Sequence, residues 1–132
     1  MQSKITSIKG DASFRKFYRV INKNKSKITV IAKKEKYKNL IAYTAINKFL
    51  RDNKILTPKL FSHDYSKGKI IIEDFGNLSF YQVLLKKKNK FLVYKKLVDL
   101  LLKIQRIKPK PKIKNILNKS CHINKYSTKT LM

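Results

Sequence analysis

Cysteine occurs once in this chain of 132 residues, as Cys121, which excludes an internal disulfide framework and suits a reducing compartment. Long apolar runs are absent too. Stretches such as Ile70-Ile71-Ile72 fall far short of a membrane span, and Met1-Gln2-Ser3-Lys4-Ile5-Thr6 has no apolar core of a secretory signal. The cytoplasm is the expected address, with no membrane partner. Acidic residues are scarce, 7 Asp and Glu against 33 Lys and Arg, for a net charge of +26. Hydrophobic residues, by contrast, make up 42% of the chain. That supplies one compact domain with a core and argues against disorder along the whole length.

A strongly basic balance ordinarily points to nucleic acid or anionic lipid. Here arginine occurs only at Arg15, Arg19, Arg51 and Arg106, so the excess is nearly all lysine, spread through the chain without forming an arm. Lysine, isoleucine and asparagine are all abundant and all written by A/T-rich codons, so genome bias accounts for the skew. A solvated lysine coat is the plainer reading. A small basic nucleic-acid-binding protein remains the alternative, with Phe14, Phe17 and Tyr18 as stacking platforms on a sheet. It lacks an RNP-type motif.

Periodicity lays out the elements. Ser3–Ile8 reads as a strand, and Gly10-Asp11-Ala12-Ser13 as the loop after it. Phe14–Ile21 alternates at period two, with Arg15, Phe17, Arg19 and Ile21 sharing one face. The β-branched run Lys27–Ala32 is a third strand. From Tyr37, Leu40, Ile41, Thr44, Ala45, Lys48 and Phe49 recur at helical spacing to about Asp52. Pro58 sends the chain out extended into strands at Lys59–His63 and Lys69–Asp74. Helices follow over Leu78–Leu85 and Lys90–Ile107, closed by Pro109 and Pro111, and the remainder to Met132 reads as loop or tail. Three strands, a helix, two strands and then helices predict an α+β domain and not a doubly wound sheet.

Two segments carry chemistry. Gly10-Asp11-Ala12-Ser13-Phe14-Arg15 joins two strands, and small residues there let backbone N–H groups approach a phosphate, with the Ser13 hydroxyl and Arg15 charge beside them. One glycine is not a glycine-rich motif, so on the pattern alone an ordinary hairpin loop is the plainer reading. The second segment is Ile72-Glu73-Asp74-Phe75-Gly76, a buried strand running into two carboxylates. Its last three residues spell the metal-binding motif of protein kinases. In those enzymes a catalytic loop precedes it, and nothing like His-Arg-Asp precedes it here. The plain reading is a strand exit with carboxylates facing water.

The run from Gly10 to Val20, with Pro58, Ile72–Gly76 and Leu101-Leu102-Lys103-Ile104-Gln105, resembles the aminoglycoside phosphotransferase-like family. It is most similar to the bacterial branch that phosphorylates the anomeric hydroxyl of N-acetylmuramate and N-acetylglucosamine. The resemblance covers nearly the whole chain in order and spacing, and Asp11-Ala12-Ser13-Phe14-Arg15 is its most specific part. It implies a protein-kinase-like N-lobe over residues 1–76, a five-stranded antiparallel sheet with one inserted helix. Its hinge would be Glu73, Asp74, Phe75 and Gly76, bonding the adenine edge of ATP. Residues 77–108 would be the first helices of a second lobe, and 109–132 a truncated tail. Gly10, Asp11, Ala12, Ser13, Phe14 and Arg15 would cover the phosphates, with Lys33 or Lys34 following the third strand as phosphate ligand.

The family's His-x-Asp base, later Asn and Mg2+-holding Asp have no counterpart, because neither His63 nor His122 is followed by aspartate two residues later. The resemblance therefore implies a fragment, inactive alone, of an enzyme that uses ATP and Mg2+ on a sugar substrate. An inactive relic of that fold is the other outcome.

Overall fold

Alternation in the strands produces one five-stranded sheet. In the computed structural model, which describes residues 3–9, 14–32, 37–108, 112–114 and 120–122, β1 (Lys4–Ile8), β2 (Lys16–Asn22) and β3 (Lys25–Ile31) form a meander. Next come α1 (Tyr37–Asp52), β4 (Leu60–Asp64) and β5 (Lys69–Glu73). The sheet order is β1-β2-β3-β5-β4, with every pair antiparallel. The turn between β2 and β3 has two residues, Lys23 and Asn24, both at positive φ. Such a turn matches the strands' right-handed twist and sets the register that pairs Asn22 with Lys25.

That register puts Phe17, Ile28, Val30, Ile70 and Ile72 on one face, where α1 covers them. Leu40 of α1 is fully buried, and Ile70 beside it is 1% exposed. Tyr65 is buried with them, its hydroxyl 2.7 Å from the Thr44 hydroxyl, which itself donates to the Ile41 carbonyl. Helix α1 stops because Lys54 turns to φ 60, letting the Lys54 and Ile55 N–H groups donate back to Arg51 and Leu50.

The turn at Gly68 is fixed by a backbone approach. The Ala32 N–H donates to the Gly68 carbonyl at 2.8 Å, and a Cβ on Gly68 would lie 2.3 Å from the Ala32 oxygen. Gly68 also sits at φ +62.

Past β5 the chain forms α2 (Phe80–Lys86) and α3 (Lys90–Gln105). Ser79 and Gln82 make a reciprocal capping box for α2, and the Asn89 side chain accepts from the Leu92 N–H to cap α3. The two helices touch through Phe80 and Tyr94, edge to face at 6.1 Å. Lys103 Nζ bonds the Lys54 carbonyl, tying α3 to the end of α1. Neither α2 nor α3 buries any residue: Phe91 is 73% exposed, and Leu92, Tyr94, Val98 and Leu101 are exposed with it.

The α+β class and the five-stranded antiparallel sheet with one inserted helix agree with the sequence pattern. The segment from 109 onward corrects it. Expected as loop or tail, it contains β6 (Lys112–Lys114) and β7 (Ser120–His122), an antiparallel pair in which both strands contact α1 and Ile113 is 5% exposed. Three-residue strands are too short to show a period, so their pairing comes from contact with α1 and not from a pattern of their own.

Gly68→Ala is expected to lower stability by about 3 kcal/mol, the upper end of what a non-glycine residue at such a φ costs. Urea unfolding of the two proteins measures it, and equal midpoints would show that the Ala32 approach is not rigid. The uncovered face of α3 is expected to make the folded chain bind ANS, seen as a rise and blue shift of its emission before any denaturant is added.

Candidate functional site

One cation stands in the apolar row of the sheet. Arg19 of β2 faces the same side as Ile28, its partner in β3, so its guanidinium has to find a counter-charge near the core. Asp74, the first residue after β5, provides it. Arg19 Nε donates to Asp74 Oδ2 at 2.5 Å and Nη2 donates to Oδ1 at 2.9 Å, a two-pronged pair. The remaining nitrogen, Nη1, donates to Asn77 Oδ1 at 2.7 Å. The Asp74 side chain is 3% exposed and that of Arg19 19%.

Asp74 accepts more than arginine. The Gly76 N–H donates to its Oδ1 at 2.8 Å, closing a short turn in which Gly76 adopts φ +77. The Arg19 hydrogen bonds, aided by the Gly76 N–H and the Ser26 side chain, hold the Asp74 carboxyl below the usual carboxylate range, outweighing the burial that opposes them. The same hydrogen bonds push the Arg19 guanidinium above its ordinary value. One guanidinium therefore grips residues 74 and 77 on both sides of Gly76.

Glu73 has a different task. Its Oε2 accepts from the Lys59 N–H at 2.9 Å, and its own N–H donates to the Lys59 carbonyl at 2.8 Å, which joins the ends of β4 and β5. The backbone N–H and C=O of Phe75, at the crest of the turn, take no hydrogen-bond partner among the described residues, and the ring is 54% exposed. The sequence-derived segment Glu73-Asp74-Phe75-Gly76 is thus one built turn. The plain reading of carboxylates facing water is overturned for Asp74, because Arg19 pulls that side chain inward.

Of the first loop, only Phe14 and Arg15 lie within the described residues. Gly10, Asp11, Ala12 and Ser13 lie outside them, as do Lys33 and Lys34. Arg15 Nη2 donates to the Asn39 carbonyl at 3.3 Å, and its guanidinium lies 5.5 Å over the Tyr43 ring, so it packs on α1. Burial raises the Tyr43 hydroxyl above its ordinary range, and Arg15 and Asn47 offset part of that. Phe17 packs against the core while Tyr18 faces the opposite side of the sheet, so the two do not make one stacking platform. His63 lies in β4, stacked on Tyr65 at 5.1 Å.

Two residues that shape the turn, Arg19 of β2 and Asn77, were not singled out as site residues in the sequence. For Arg19 a signal existed: an arginine alternating in register with Phe17 and Ile21 has to meet a carboxylate or break the face. Asn77 carried none. No metal-holding group of three or more His, Cys, Asp or Glu occurs among the described residues, and no helix there is long and apolar enough to cross a membrane. No family model matches the chain, and comparison with curated proteins and with solved structures finds no match either.

A carboxylate with a depressed folded-state pKa stabilises the fold above its unfolded value of about 4, and that contribution disappears as pH falls through the lower folded value. Chemical denaturation between pH 7 and pH 2 should therefore show stability falling off below about pH 4. Asp74→Asn should be less stable than the parent at pH 7 and close to it at pH 2. Parallel curves for the two proteins would mean that the pair contributes nothing.

Proposed function

We propose that this chain is the nucleotide-binding front portion of an ATP-dependent small-molecule phosphotransferase that, within a longer protein, phosphorylates a sugar hydroxyl, an amino sugar by the resemblance of its motifs. The observation that carries the reading is the junction after β5. A sheet of order β1-β2-β3-β5-β4 with one inserted helix leads directly into a turn whose Asp74 and Asn77 side chains are held by Arg19 and whose Phe75 backbone takes no hydrogen-bond partner among the described residues. Such a turn suits recognition of a nucleobase edge by main-chain groups, and it stands where a kinase-like hinge would join two lobes.

One feature supports ATP at this end of the molecule: Phe75 presents one backbone donor and one acceptor beside an exposed ring. Bound there, ATP would supply the phosphoryl group. The chain's own part is to hold the base at residues 74–76. Gly10 to Arg15 and Lys33 or Lys34 are proposed for the phosphates on the motif resemblance alone. Mg2+ has no fitting set of ligands among the described residues, and no step is derived through it. Phosphoryl transfer depends on positioned charge around the transferring group, so this portion binds nucleotide without turning it over.

Calorimetric titration with ATP at moderate salt tests the reading. Saturable one-to-one binding that adenosine competes away would support it, since adenosine carries no phosphate for the lysine coat to attract. Steep salt-dependent binding of oligonucleotides with no adenosine competition would instead favour a basic nucleic-acid-binding protein. Failure to bind either would leave a relic of the fold.

A further inference from the structure

The 74–77 turn has no hydrophobic cover of its own. Phe75, Gly76, Asn77 and Leu78 are all exposed, Leu78 at 65%. What holds its shape is polar and converges on one side chain. Arg19 takes both Asp74 oxygens and the Asn77 amide oxygen, and Asp74 in turn accepts the Gly76 N–H. Arg19 itself is placed by the sheet as the fourth residue of β2, paired on both sides, opposite Thr6 of β1 and Ile28 of β3. The sheet thus reaches the exposed turn chiefly through one planar fork, with the Ser26 side chain of β3 as a further donor to Asp74.

We propose that Arg19 is the positioning residue of the nucleotide site: by fixing the turn around Gly76 it sets the direction of the Phe75 backbone donor and acceptor, and so decides which purine the site prefers. This rests on the nucleotide-binding reading above. Adenine offers an amino donor beside a ring-nitrogen acceptor, and guanine offers an oxygen acceptor beside a ring N–H donor. A donor and acceptor held in fixed order suit one of these and leave unpaired groups against the other. Lysine in place of Arg19 keeps the charge and loses the fork, because an ammonium cannot span both carboxylate oxygens and Asn77 in one plane.

The test uses the full chain, with Arg19→Lys and Asp74→Asn beside the parent, each first checked for a cooperative thermal transition. Affinities for ATP, GTP and inorganic tripolyphosphate are measured by calorimetry, and exchange of the Gly76 amide by NMR. In the parent ATP should bind more tightly than GTP. In Arg19→Lys the ATP affinity should fall about fivefold to tenfold and the ATP-to-GTP ratio should approach one. Tripolyphosphate affinity should stay unchanged, and the Gly76 amide should exchange faster. A general loss of structure would weaken all three ligands together, so the selective loss separates positioning from unfolding. An unchanged ATP-to-GTP ratio in a folded variant overturns the proposal. So does an unchanged Gly76 exchange rate, whether or not nucleotide binds. If the parent binds no nucleotide while Gly76 exchange still accelerates, the nucleotide reading has failed and purine selection with it, leaving Arg19 as a structural clamp.

Discussion

A sheet with one apolar face has to be covered, and in this chain a single 16-residue helix covers it. Everything else in the described fold is arranged around that contact. Ile28, Val30, Ile70 and Ile72 are presented together only because the β2–β3 turn and the β3–β5 pairing hold them in register, and Leu40 of α1 closes over them. A one-residue slip in either pairing would turn that row to solvent. Gly68 serves the same contact: it lets the β4–β5 turn approach the Ala32 backbone at the end of β3.

The cost of the arrangement is local and electrostatic. Arg19 stands in the inward row, where a lone guanidinium would be poorly tolerated, and the first residue beyond β5 answers it. Because the answer comes from the chain leaving the sheet, pairing the charge also shapes the exit turn and the approach to α2. The core and the candidate site are thereby coupled by geometry, through a charged pair between β2 and the exit of β5. The same charges in a water-exposed pair would contribute little. What distinguishes this one is the near-complete burial of the carboxylate and its three kinds of donor: guanidinium, backbone N–H and hydroxyl.

Much of the fold was legible in the residues. Period-two alternation marked β2, β-branched runs marked β3 and β5, and the 3.6-residue spacing from Leu40 to Phe49 marked α1, with Pro58 signalling the return to extended chain. The hairpin of β6 and β7 was not legible, because two strands of three residues carry no period and Lys-Ile-Lys reads like any part of a lysine-rich tail. Of the candidate site, the segment Glu73 to Gly76 stood out as a strand exit rich in carboxylates. Its inward turn did not, because the partner lies 55 residues earlier in the chain. Sequence spacing shows which residues share a face of one element, and it does not show which side chains meet across two.

By itself, then, the sequence determined the class of elements and their order, since period and propensity are properties of neighbouring residues. It also determined that the chain would be covered in lysine and free of internal disulfides. Only the tertiary structure decided that Asp74 faces Arg19 instead of water, that Glu73 and Asp74 have separate tasks, and that α1 contacts a second, smaller sheet. Those outcomes depend on distances between residues far apart in the chain. Such distances arise only when strand register and helix packing bring the residues together.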